Sequence, residues 1–198
     1  MYQGITHRGS LKGKNFIINE FFRGIVAFEE WLGPIFIQVS ETFSPKRKDE
    51  LFEFLQTMPT NLQFFMELRH PDWFKKPAIS NELFTRLKEM NIGAVITDTA
   101  GRRDCAHMHL TVPKVFIRYV GNSLHPTDFT RIDDWVNRMK YWLDNGMEEL
   151  YFFMHMHDEA TSPELTVYLV DKMNKELGLD LIKPRFVEEG NKQRGLFD

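Results

Sequence analysis

Residues 62–73, LQFFMELRHPDW, constrain the fold more than any other stretch of the chain. They begin as an apolar, aromatic-rich run and end on Glu67, Arg69, His70, Asp72 and Trp73. A buried strand that turns ionisable at its C-terminal end is where α/β proteins usually keep their chemistry. Side chains alternate along a strand, so Glu67 and Arg69 share one face, with Gln63 and Phe65 behind them. An ion pair closing the mouth of the fold would place the same two residues there. Position therefore marks a site without naming a reaction.

The rest of the chain repeats the pattern of strand followed by helix. An apolar periodicity predicts a helix over 15–32, stopped by Gly33-Pro34, after a loop at 1–14. PIFIQVS at 34–40 reads as a strand, and Ser44-Pro45 as the start of a helix reaching Met58, with serine as N-cap. After the strand at 62–69 comes a loop, then a helix capped by Ser80 or Asn81 and ending near Met90. Strands follow at 93–99, ending past Asp98, and at 114–121, with Arg118 near the end; residues 101–112 show no convincing helix. A helix over 128–145 closes on Gly146, a strand over 149–157 ends in His155, Met156 and His157, and Ser162-Pro163 starts a helix to Leu177 with Gly178 after it.

Strands separated by helices imply a parallel sheet with right-handed crossovers, and the apolar strand runs fit a sheet covered on both faces. An open doubly wound sheet and part of a (β/α)₈ barrel both satisfy the pattern. No glycine-rich phosphate loop follows any strand, which weakens the nucleotide-binding form of the open sheet. A full barrel needs roughly 250 residues, and this chain has 198.

Composition excludes several classes. A chain that is 42% hydrophobic and 14% aromatic is not disordered, and a net charge of −3 argues against a generally basic nucleic-acid binder. The single cysteine, Cys105, allows no internal disulfide and has no identifiable base partner, so it does not read as a nucleophile. No leader-like or membrane-spanning run is present, so the expectation is a cytoplasmic protein.

Motifs in the same order along the chain carry a family resemblance: ITH at 5–7, FIQVS at 36–40, ELRHPDWF at 67–74, VITDT at 95–99, FIRYVG at 116–121, and the last strand with its Ser-Pro helix start. Together they make the chain resemble the domain of unknown function 72 family, the YecE-like proteins. The resemblance implies an α/β fold of TIM-barrel type, incomplete, with five parallel βα units matching strands four to eight in residues 1–182 and a tail at 183–198. The first three units would then be missing, and the outer strands would be apolar edges prone to self-association. Two positions depart from the family pattern. Val120 stands where a histidine is usual in the segment Arg118-Tyr119-Val120-Gly121, and Met154-His155-Met156-His157 replaces paired asparagines at the end of the last strand.

Glu67, Arg69, Asp98 and Arg118 are the candidate catalytic or anion-binding residues, each near a strand end, and a buried Arg118 would need Glu67 or Asp98 as its partner. His7, Gln38, Trp73, His155 and His157 are the candidate substrate-binding residues, Trp73 being either core or a stacking surface. His155 and His157 share a strand face and, with Asp98 and Glu67, have the donor types for a divalent metal; hydrogen-bonded cleft residues are the favoured reading. His107 and His109, in a polar loop, are expected to be solvated. Near the C-terminus, Gln193, Leu196 and Phe197 form Q-x-x-L-F, similar to peptides that dock on the DNA sliding clamp; an apolar end folding back is the alternative.

Three functions follow. The first is a barrel protein binding or hydrolysing an anionic substrate, with phosphodiesterase-like chemistry if that substrate is nucleic acid held by Arg8, Lys12, Lys14, Arg102 and Arg103. The second is a non-catalytic adaptor on the sliding clamp. The third is a sugar or small-metabolite enzyme on the same scaffold.

Overall fold

The computed structural model describes residues 1–101 and 103–186. Five strands, β1 (Ile35–Gln38), β2 (Phe64–Glu67), β3 (Gly93–Thr99), β4 (Lys114–Val120) and β5 (Glu149–His155), form one sheet in sequence order. Every pairing is parallel, with Gln38 beside Glu67, Thr97 beside Arg118 and Val120 beside His155. The helices are α1 (Gln3–Thr6), α2 (Asn15–Ile25), α3 (Lys48–Gln56), α4 (Asp72–Lys75), α5 (Pro77–Glu89), α6 (Pro126–Asp144) and α7 (Ser162–Leu177). The chain divides into two compact units. Among the described residues, one comprises Met1–Val120 with Asn145–His155, the other Gly121–Asp144 with 156–186.

The first unit holds the whole sheet, and the sheet is curled. Neighbouring strands lie about 4.8 Å apart, so residues on β1 and β4 would be roughly 14 Å apart in a flat sheet. Phe36 of β1 and Phe116 of β4 instead stack with ring centroids 5.7 Å apart. Strand alternation then sorts the core by face. On the concave side Phe65, Val95, Val112 and Phe116 cluster with Phe36 and Tyr151. On the convex side Ile35, Ile37, Phe64, Met66 and Ala94 pack with Leu51, Phe52 and Leu55 of α3 and with Leu83 and Leu87 of α5. Burial on both faces is why β2 reads as an unbroken apolar run until Glu67.

Several local expectations are corrected. The loop at 1–14 contains the short α1. The helix expected over 15–32 ends at Ile25 and continues as a 3₁₀ segment, Val26–Trp31, in which Glu29 has φ of +48°. Ile25 and Val26 are β-branched and follow Gly24, a run of weak helix formers. Ser44 makes no side-chain cap; Pro45–Arg47 is 3₁₀, and α3 proper begins at Lys48. The helix expected to be capped by Ser80 or Asn81 already begins at Pro77, which supplies the preset φ of a first-turn residue. β3 and α7 lie where the sequence places them, with Gly178 left-handed after the helix.

In the second unit α6 and α7 pack together. The α6 side chain of Asp128, fully buried, accepts the backbone N–H of Asn122 at 2.8 Å and pairs with Arg131 at 3.3 Å. No described helix is long and apolar enough to cross a membrane.

Candidate functional site

The site is built on the concave face, toward the C-terminal end of the strands. β2 carries Glu67 there with no solvent exposure. A buried carboxylate needs partners for its lone pairs, and the two adjacent strands together with β4 supply them. Arg118 of β4 donates from Nη1 to both carboxylate oxygens, at 2.6 and 2.7 Å. Gln38 of β1 donates to Oε2 at 2.7 Å, and Thr97 of β3 donates to Oε1 at 2.9 Å. Glu67 is thus the hub of a four-strand polar layer resting on the aromatic layer of Phe36, Phe65 and Phe116.

The Arg118 side chain is 19% exposed, and among the described residues its Nη2 and Nε groups make no hydrogen bond. Its guanidinium carbon lies 5.9 Å from the centroid of the Phe36 ring. It opens on a cavity of about 430 Å³, also lined by Ile25, Leu32, Phe116, Phe153 and His155. Arg69, just past the end of β2, lines a second, much smaller cavity of about 20 Å³ with Thr97, Thr99, Asp104 and Cys105. Its backbone carbonyl accepts from the Cys105 thiol at 3.1 Å, while its guanidinium makes no ion pair among the described residues.

The expected residues therefore separate. Glu67, Gln38 and Arg118 converge directly, and His155 shares the larger cavity with Arg118. Asp98 does not join them. Thr97 points at Glu67, so the next residue faces the opposite side of the sheet, where Asp98 lies 3.8 Å from Arg103. Trp73 resolves to its core alternative: it is 1% exposed, sits in the convex-face core, and its indole donates to the Phe43 carbonyl at 2.8 Å. His7 follows α1 and pairs through Nδ1 with the Thr6 hydroxyl at 2.9 Å. His157 belongs to the second unit and is exposed. Among the described residues, no group of three or more His, Cys, Asp or Glu side chains is placed to hold a metal ion.

Thr97 is the contributor that sequence reading missed. The VITDT run drew attention to its carboxylate, although Val95, Thr97 and Thr99 share the parity of the concave face. His107 is a correction as well. Its ring lies against Phe74 and Phe84, Nε2 is 3.0 Å from the Val95 carbonyl, and the buried Nδ1 has no hydrogen-bond partner among the described residues. Burial, assisted by nearby His109, pushes its pKa down to about 4. His109 is exposed but stacks on Phe84 at 4.2 Å.

Two basic residues of the N-terminal segment have intramolecular partners. Lys14 donates to the carbonyls of Gly4, Ile5 and Arg8, and Lys12 pairs with Glu53 at 2.6 Å. Arg102 and the tail residues Gln193, Leu196 and Phe197 lie outside the described residues.

Comparison with known proteins agrees with this architecture. The profile of the family described as "Protein of unknown function DUF72" matches residues 1–187. The UPF0759 protein YecE of Escherichia coli K12 is 25% identical over 191 residues, covering 87% of this chain and 70% of that protein. A DUF72 family protein from Enterococcus faecalis superposes with a TM-score of 0.69 at 19% identity, covering 91% of this chain and 77% of the other. One from Thermotoga maritima superposes at 0.62 and 17% identity, covering 90% and 72%. The two structural matches speak for the fold alone. With the family profile spanning nearly all of its length, the chain belongs to the DUF72 family.

Proposed function

We propose that the protein binds a small anionic ligand on the concave face of its sheet, at the C-terminal end of the strands, with Arg118 and Arg69 as the anion-binding groups. The observation that carries this reading is the disposition of Arg118. One nitrogen is locked onto Glu67, while Nη2 and Nε remain unbonded among the described residues beside a cavity of about 430 Å³. A guanidinium fixed by a carboxylate on one edge presents its other edge at little entropic cost, the geometry suited to carboxylate or phosphate recognition. Arg69, just past the end of β2, adds a second cation beside Thr97 and Thr99 of the concave parity, in the smaller cavity. Glu67 then serves as a positioning residue: all its hydrogen bonds go to protein groups, which leaves no lone pair directed at a substrate and favours binding over general-base hydrolysis.

Lys14 is tied to backbone carbonyls and Lys12 to Glu53 at the surface, which favours a small ligand over a nucleic-acid track. The curl and the face-sorted layers also support reading the sheet as part of a TIM-type barrel, whose ligands sit at the same strand ends.

Thermal unfolding in rising concentrations of pyrophosphate tests the site, since a ligand that binds only the folded state raises Tm by mass action. The expected result is a salt-sensitive rise that is reduced by Arg69→Gln and by Arg118→Lys. A Tm indifferent to pyrophosphate in the unaltered protein would overturn the proposal.

A further inference from the structure

The cavity beside Arg118 has a second chemical character. Phe116 stacks on Phe36 at 5.7 Å with an interplanar angle of 20°, and on Phe153 at 4.7 Å and 10°. Phe153 is 46% exposed, although it stands on the concave parity of β5 and lines the cavity. A parallel aromatic pair with one face left open is a platform for another flat ring. Elsewhere the wall is mostly apolar, from Phe21, Ile25 and Leu32; Arg118 and His155 supply its ionisable side chains, and the Met1 ammonium beside it donates to the Phe36 carbonyl. The volume of about 430 Å³ falls within the range of small-molecule sites.

Resting on the anion-binding reading above, we infer that the ligand is an aromatic ring joined to an anionic group, the ring stacking on Phe153 and the anion meeting the open edge of Arg118. The aromatic pair selects the flat part and the guanidinium orients the charged part. Neither half of such a ligand alone satisfies both walls. A nucleoside monophosphate and an aryl carboxylate share this chemistry, and they differ in the anion and in ring size.

Calorimetric titration of the full chain with four probes tests the inference: adenosine 5′-monophosphate, 4-hydroxybenzoate, adenosine and inorganic phosphate. At least one of the first two should bind at least ten-fold tighter than both adenosine and inorganic phosphate, and which of them does so identifies the source. Phe153→Ala, at a half-exposed position where folding is readily checked by Tm, should weaken that probe by roughly five-fold or more, the size expected for a lost stacking contact. Inorganic phosphate binding should be unchanged by the same substitution. If ring-bearing anions bind no tighter than inorganic phosphate, or Phe153→Ala leaves them untouched, the inference is overturned while the anion site stands. If inorganic phosphate, pyrophosphate and the ring-bearing anions all fail to bind, both fall.

Discussion

Arg118 reaches across the whole of β3 to place one nitrogen 2.6 and 2.7 Å from the two carboxylate oxygens of Glu67, a residue with no solvent exposure. The two residues are 51 positions apart in sequence. Curling makes the contact reachable, because it brings the concave faces of β2 and β4 toward each other. The pair ties β2 to β4, while Thr97 adds β3 and Gln38 adds β1.

Breaking this pair from one side should be costly. Removal of one member of a buried ion pair leaves the other charge desolvated, at about 3–5 kcal/mol. Glu67→Gln and Arg118→Met should each fall near the lower end of that range, since Arg118 retains some exposure. The double substitution should cost well under the sum. Urea unfolding of the four proteins in a double-mutant cycle measures this, and strictly additive losses would contradict the coupling.

Acid should act in two separable windows. The His107 pKa falls from 6.5 unfolded to about 4 folded, so its neutral form is the one the fold accommodates. The associated stability is complete above pH 6.5 and is lost as pH drops toward 4, by up to about 3 kcal/mol. His107→Phe should flatten that part of the profile. Glu50 is held at about 2 by a two-nitrogen contact from Arg47, with Ser10 and the Leu11 N–H also donating. Its contribution persists above its ordinary value of 4.5 and disappears between there and 2, so Glu50→Gln should alter only the lower window. Chemical denaturation at half-unit pH steps distinguishes the two. A His107→Phe profile that still falls between pH 6.5 and 4 as steeply as the unaltered protein would count against the first assignment.

Gly93 should tolerate no side chain. A Cβ at this position would lie 2.2 and 2.3 Å from ring atoms of Phe65, itself fully buried in the concave aromatic layer. Gly93→Ala must push that ring against Phe116 and Tyr151, at about 1–3 kcal/mol. Gly93→Ala combined with Phe65→Leu should recover part of the loss in a thermal melt. An alanine variant as stable as the parent would show that the aromatic layer yields freely.

Sequence alone determined the order of strands and helices, the parallel topology that order entails, and the end of the sheet where ionisable groups collect. These are properties of short windows: alternation along a strand, a 3.6-residue period, a glycine after α7. The place of Glu67 and Arg118 at strand ends was legible for the same reason. Only the tertiary structure decided which parity of each strand faces inward, and that choice put Thr97 at the hub and turned Asp98 away. It likewise drew His107 out of solvent to lie against Phe74 and Phe84. The physical cause is curvature and register between strands some 30 to 50 residues apart, a long-range outcome of packing that no local pattern of side chains encodes.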